Sequence, residues 1–195
     1  RHEATWLGWP RNEHEWPGKL SAVEWVYGEM IRRIAPGERV RILIESAARE
    51  KQAREILRLA GVDLKAIEFI RYPTDRVWMR DSGPIFVQSG GRKPGRAIVH
   101  FHFNAWARYP DWQRDRRVPE MAARRVKCDL LEARTGSRPF VLEGGSIDVN
   151  GRGTLLTTEE CLLDQKTQVR NPGLTRGEVE TVLREYLGAQ NVLWL

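Results

Sequence analysis

The chain has 195 residues, with 32 Lys plus Arg against 26 Asp plus Glu and a formal charge of +6. A hydrophobic fraction of 41%, 30% charged residues and 17 scattered glycines exclude disorder, collagen and coiled coil, and leave a globular chain able to bury a core. Charged residues interrupt every apolar run below the ~18 residues of a membrane span, and two cysteines, Cys128 and Cys161, are too few for a disulfide scaffold and fit a reducing compartment. No apolar leader is visible, so the cytoplasm is the expected compartment, with a leader trimmed ahead of Arg1 left open. Eight Trp are many for this length and call for a sizeable core or a cleft.

Residues 19–34 carry Leu20, Val23, Val26, Tyr27, Met30, Ile31 and Ile34 at helical spacing, with a stop at Pro36-Gly37. Val40, Ile42 and Ile44 then alternate as a strand, a helix is predicted over 47–59 with Gly61 beyond it, and a strand over 67–72 reaches Pro73. Two further helices are predicted over 119–133 and 176–186, each followed by an apolar strand, 139–142 and 192–195. Helices alternating with strands define an α/β class, and no linker-like stretch divides the chain, so a single domain is expected over 1–195.

An internal repeat sharpens that reading. Asp81-Ser82-Gly83-Pro84-Ile85-Phe86-Val87-Gln88 aligns with Glu143-Gly144-Gly145-Ser146-Ile147-Asp148-Val149-Asn150, with identity at Gly83, Ile85 and Val87. Each segment opens on a carboxylate, enters an alternating strand and ends in a glycine turn, Gly90-Gly91 or Gly151-Arg152-Gly153, before a second strand (97–103 or 154–158), a helix and a return strand. The period is 62 residues, giving repeat units near 81–142 and 143–195 and suggesting blades about a centre. A third copy would open near residue 205, so a chain closing on Asn191-Val192-Leu193-Trp194-Leu195 reads as part of a longer domain.

Trp78 stands three residues ahead of Asp81. A carboxylate beside an indole face is the pair that holds a planar cation, although on spacing alone Asp81 can equally pair with Arg80 or Arg76 while Trp78 packs. Glu143, beside Gly144-Gly145, can orient a histidine for acid/base work or simply accept backbone amides in its turn. His100 and His102 share a strand face without a third metal ligand at a suitable spacing, and Cys128 and Cys161 read as small buried residues. Arg114, Arg116, Arg117, Arg124, Arg125 and Lys127, diluted by Glu120, Asp129 and Glu132, read as a solvated helix face.

Five stretches together resemble the agmatine deiminase family, which also holds the Porphyromonas-type peptidylarginine deiminases. They are Ala4-Thr5-Trp6-Leu7-Gly8-Trp9-Pro10, Trp78-Met79-Arg80-Asp81-Ser82-Gly83-Pro84, Phe103-Asn104-Ala105-Trp106, Leu142-Glu143-Gly144-Gly145-Ser146-Ile147, and the run from Gly153-Thr154-Leu155 through Cys161-Leu162-Leu163, continued by Arg170-Asn171-Pro172. The resemblance implies a pentein, a five-bladed α/β propeller of ββαβ repeats, of which about the first half is present. It implies hydrolysis of a guanidinium, agmatine first and peptidyl- or free arginine second, without metal or organic cofactor. In that reading Asp81 binds the guanidinium, Trp78 lines the pocket and Glu143 orients a histidine. The family's Gly-His-x-Asp segment and nucleophilic Cys have no match in this chain, so the 195 residues alone are expected to be inactive. The partners implied are a small cationic substrate, with no nucleic acid and no membrane; homo-oligomerisation is left open. The alternative from another class is a non-catalytic binding module, either a degenerate relative or a nucleic-acid binder.

Overall fold

The computed structural model describes residues 2–88 and 95–195, so the Gly90-Gly91 turn lies outside the described residues. Two compact units divide the chain, Arg1–Met79 and Arg80–Leu195. Among the described residues no helix is long and apolar enough to cross a membrane.

The first unit runs β1 (Ala4–Gly8), α1 (Leu20–Ile34), β2 (Arg39–Ile44), α2 (Ala47–Leu59) and β3 (Ile67–Arg71). Its strands pair in parallel in the order β1-β2-β3, which requires the two helical crossovers. β2 is central and alternates: Val40, Ile42 and Ile44 share one face and pack with Trp9, Ile31, Ala53 and Leu57, while Arg41 on the other face pairs with Glu68 at 2.9 Å. Ser46 starts α2 by accepting the Arg49 amide at 3.2 Å. The buried Trp9 indole donates to Glu24 at 3.0 Å, and Arg49 closes on the same carboxylate at 2.8 Å, so the polar end of that tryptophan is satisfied inside the core.

The second unit begins within the short helix α3 (Met79–Ser82). It continues with β4 (Ile85–Gln88), β5 (Arg96–His100), α4 (Val118–Val126), β6 (Asp129–Glu132), the small hairpin β7 (Arg134–Thr135) and β8 (Arg138–Pro139), then β9 (Ile147–Val149), β10 (Thr154–Thr157), α5 (Glu159–Leu162), α6 (Arg176–Leu187) and β11 (Asn191–Trp194). Two three-stranded sheets result, β4-β5-β6 and β9-β10-β11, and both have one pattern. The first strand is antiparallel to the second, and a helical crossover returns the third parallel to it. The 62-residue period therefore corresponds to two ββαβ units. Phe140, Leu142, Leu155, Leu162, Val179 and Leu183 form one core with Val99 and Phe101. Each such side chain contributes about 1.5–3 kcal/mol by leaving water.

Two boundaries differ from the sequence reading. The helix expected over 119–133 stops at Val126, because Lys127 adopts φ 55° and ψ 55° and its amide turns back to Ala123. Glycine usually marks that left-handed position, and lysine gives no such signal. The chain that follows becomes β6, the return strand of the first repeat, with Leu130 and Leu131 opposite Ile98 and Val99. Residues 139–142 accordingly are not that return strand. They lie extended beside His102, whose amide donates to Phe140 at 2.8 Å and whose carbonyl accepts from Leu142 at 3.2 Å.

Candidate active site

Within the first unit, Trp78 stacks on Trp16 with centroids 6.4 Å apart and planes at 25°, while Arg76 pairs with Glu15 at 3.0 Å. Trp78 keeps 46% of its surface exposed, so its indole is not spent on core packing.

In the second unit the two repeat carboxylates come together. Glu143 is 1% exposed and receives the Nε of Arg170 at 3.1 and 3.4 Å, with Arg170 itself 8% exposed. Burial raises the Glu143 pKa, the Arg170 guanidinium opposes the rise, and the nearby Asp81 charge adds to it. Asp81 Oδ1 accepts the Gly145 amide at 3.1 Å. Its carboxyl is also raised by burial, against the pull of that amide, the Arg80 charge, the nearby Trp106 side chain and Arg170. Arg80 turns elsewhere, donating to the Ile147 carbonyl at 2.8 Å. The Arg80 pairing left open by spacing is therefore not what holds Asp81.

The two glycines explain the close approach. A Cβ at Gly144 would collide with the Arg80 carbonyl, and one at Gly145 with Asp81 Oδ1. A pocket of about 10 Å³ flanks Asp81, walled by Val99, Phe101, Phe103 and Leu142. It holds about one water, so a larger cation must reach the carboxylate from another side.

The other candidates do different work. His100, 5% exposed, has Nδ1 2.9 Å from Glu132 and Nε2 2.8 Å from the Arg116 carbonyl, so both ring nitrogens are engaged. His102 sits edge-on to Trp112 at 5.3 Å. Cys161 packs against the core and burial raises the Cys128 thiol, which is the wrong direction for a nucleophile. Glu120 draws Arg124 to 3.3 Å and Arg117 to 3.9 Å, diluting that basic helix face as its composition implies.

Sequence reasoning found Asp81 and Glu143 through the repeat but gave no role to Arg170. Arg170 is one cation among 32 and lies 27 residues from its partner, so no local pattern singles it out.

Two ββαβ units, each opening on a carboxylate, give this chain the repeating element of an α/β propeller. It belongs to the Porphyromonas-type peptidyl-arginine deiminase family, whose family model matches residues 1–195. Agmatine deiminase of Ectopseudomonas mendocina (strain ymp) is 40% identical over 200 residues, and that of Stutzerimonas stutzeri (strain A1501) 37% over 201, each match covering 100% of this chain and 50% of the relative. Agmatine deiminase of Enterococcus faecalis superposes with a TM-score of 0.83 at 30% identity, covering 99% of this chain and 50% of that one. A substrate-bound Cys→Ser variant of the C. jejuni agmatine deiminase gives 0.82 at 28%, covering 100% and 53%. The chain thus spans about half the length of the curated relatives it matches.

Proposed function

We propose that this chain supplies the substrate-holding carboxylates of a C–N hydrolase that converts agmatine and water to N-carbamoylputrescine and ammonia, a step of polyamine (putrescine) synthesis. The observation that carries the reading is the approach of Asp81 and Glu143, with Asp81 oriented by the Gly145 amide and Glu143 held by Arg170. The names of the relatives support agmatine as the substrate.

The chemistry explains the residue types. Resonance makes the guanidinium carbon a poor electrophile, and losing its proton would make it poorer. Asp81 accepts from the guanidinium N–H groups and keeps the substrate cationic while a nucleophile adds. Trp78 carries the aromatic-wall role that the family resemblance gives it. Glu143 fixes the tautomer of a histidine that delivers a proton to the departing ammonia. That histidine and the thiolate belong to the family's motifs, and neither Cys161 nor Cys128 takes the nucleophile's place. Two unpaired cysteines fit a cytoplasmic setting.

The test is ammonia and product release by the protein expressed from its whole gene, offered agmatine, free arginine and an arginine peptide. Turnover of agmatine above the other two is expected. Preference for the peptide would move the assignment to peptidylarginine, and turnover of agmatine by the 195-residue chain alone would overturn the assignment of the reacting groups. Retention on polyanions that falls steeply with salt, with no turnover of any guanidine, would favour a nucleic-acid module instead.

A further inference from the structure

The glycine turn between β9 and β10 carries chemistry that the substrate site does not use. Of the five asparagines, Asn150 alone precedes a glycine, whereas Asn12, Asn104, Asn171 and Asn191 precede Glu13, Ala105, Pro172 and Val192. A glycine there leaves its backbone nitrogen open to approach, because no Cβ stands beside it. Gly151 sits at φ 70°, and among the described residues a Cβ added to it would meet nothing within 4 Å, so the fold does not wall the position off. Asn150 itself is exposed.

Asn150 Oδ1 accepts two backbone amides, that of Arg152 at 2.8 Å and that of Thr154 at 3.1 Å. Bonding of this kind is what makes asparagine a turn former. It also polarises the side-chain carbonyl, and the two N–H groups already stand where negative charge gathers on the oxygen when a nucleophile adds to Cγ. The turn is pinned from both sides. The Asn150 amide donates to the Thr154 carbonyl at 3.2 Å, and the Gly153 carbonyl accepts the amides of Gln190 and Asn191 at 2.7 and 3.0 Å.

We propose that Asn150 is a site of self-modification, at which the Gly151 amide nitrogen displaces the side-chain ammonia and the turn ages to aspartate and isoaspartate. Hydroxide takes the Gly151 N–H proton, and the nitrogen's electron pair forms a bond to Asn150 Cγ. The Cγ–Nδ2 bond breaks, Nδ2 leaves as ammonia with a proton from water, and hydroxide is regenerated as a five-membered succinimide closes. Water then opens the ring. Cleavage at Cγ gives aspartate on an unchanged backbone, while cleavage at the main-chain carbonyl gives isoaspartate, whose backbone is longer by one methylene. One water is consumed and one ammonia released per chain, and nothing is oxidised or reduced. Aspartate keeps an oxygen for the Arg152 and Thr154 amides, whereas the longer isoaspartate backbone breaks the register of Asn150 with Thr154 and loosens the end of the β9–β10 hairpin. The ammonia is stoichiometric, so it is a fixed background to any turnover of a guanidine.

The test incubates the protein expressed from its whole gene between pH 7 and 9, both native and unfolded in urea. Peptide mapping by mass spectrometry follows the replacement of NH2 by OH at each asparagine. The change at position 150 should run about tenfold or more ahead of the other four, rise in proportion to hydroxide, and go no slower in the native protein than in urea. Asn150→Asp should abolish the early ammonia. A native rate at position 150 tenfold below the urea rate overturns the proposal, as does faster change at another asparagine. Gly151→Ala should slow the change about tenfold by placing a Cβ beside the attacking nitrogen. Should alanine at φ 70° prevent folding, the same comparison is made between the two urea-unfolded chains, and a rate equal to the parent's there removes the Gly151 nitrogen as the attacking group.

Discussion

At Asp81 the proposed binding role and stability pull in opposite directions. Burial raises this carboxyl, so the folded chain binds its proton more tightly than the unfolded chain does. Stability is therefore lost as pH rises through its titration, and the loss is complete above the folded pKa. Asp81→Asn removes the charge and keeps an oxygen for the Gly145 amide. Its thermal midpoint at pH 7 should equal or exceed the parent's, with the gap closing as pH falls below the carboxylate range, while kcat/KM for agmatine drops by about a hundredfold or more. Unchanged turnover would remove Asp81 from the binding role. At Ala107, by contrast, the φ of 53° is a cost with no side chain to justify it. Ala107→Gly should stabilise the fold by about 1 kcal/mol, read from urea unfolding, and a loss instead would mean that the methyl group packs. Asp81 and Glu143 were legible in the sequence because both open a repeat. Their supports were not: a hydrogen bond from the Gly145 amide or from Arg170 depends on segments brought together over 27 to 64 residues of sequence.

Helices were legible where their ends carry chemistry of their own. Thr175 and Glu178 form a reciprocal cap on α6, which begins and ends within a residue of the predicted span, and Gly188 closes it at φ 68°. Thr175→Ala should cost about 1 kcal/mol in chemical denaturation, and a change under about 0.3 kcal/mol would show the cap to be redundant with the packing of Val179, Val182 and Leu183. α4 shows the opposite case. Its apolar spacing runs on into Leu130 and Leu131, and only the left-handed Lys127 turns the chain from helix to strand. Residues that alternate over just four positions cannot announce a strand against a helical pattern that precedes them. The parallel partner β5, more than thirty residues upstream in the register Ala97 to Asp129, decides the outcome.

Each three-stranded sheet has one strand bonded on both edges, β2 in the first unit and β5 and β10 in the second. β2 and β5 also carry runs of buried apolar residues, Ile42, Leu43 and Ile44 in one and Ala97, Ile98 and Val99 in the other. Amide hydrogen exchange should be slowest there, and faster exchange in β2 than in α1 would contradict the core assignment. For the proposed cationic guanidinium the formal charge of +6 on these 195 residues gives no pull, so within this chain attraction falls to the local carboxylates. The Gly145 amide reaches Asp81 across 64 residues of sequence, close to one full period. A carboxylate that opens one blade is thus shaped by the first turn of the next. No single blade holds the pocket, because it exists only in their succession. During synthesis Asp81 would leave the ribosome and fold into its own sheet well before the backbone that aims it has been made, so recognition should be among the last properties the molecule acquires and among the first that a break between blades removes.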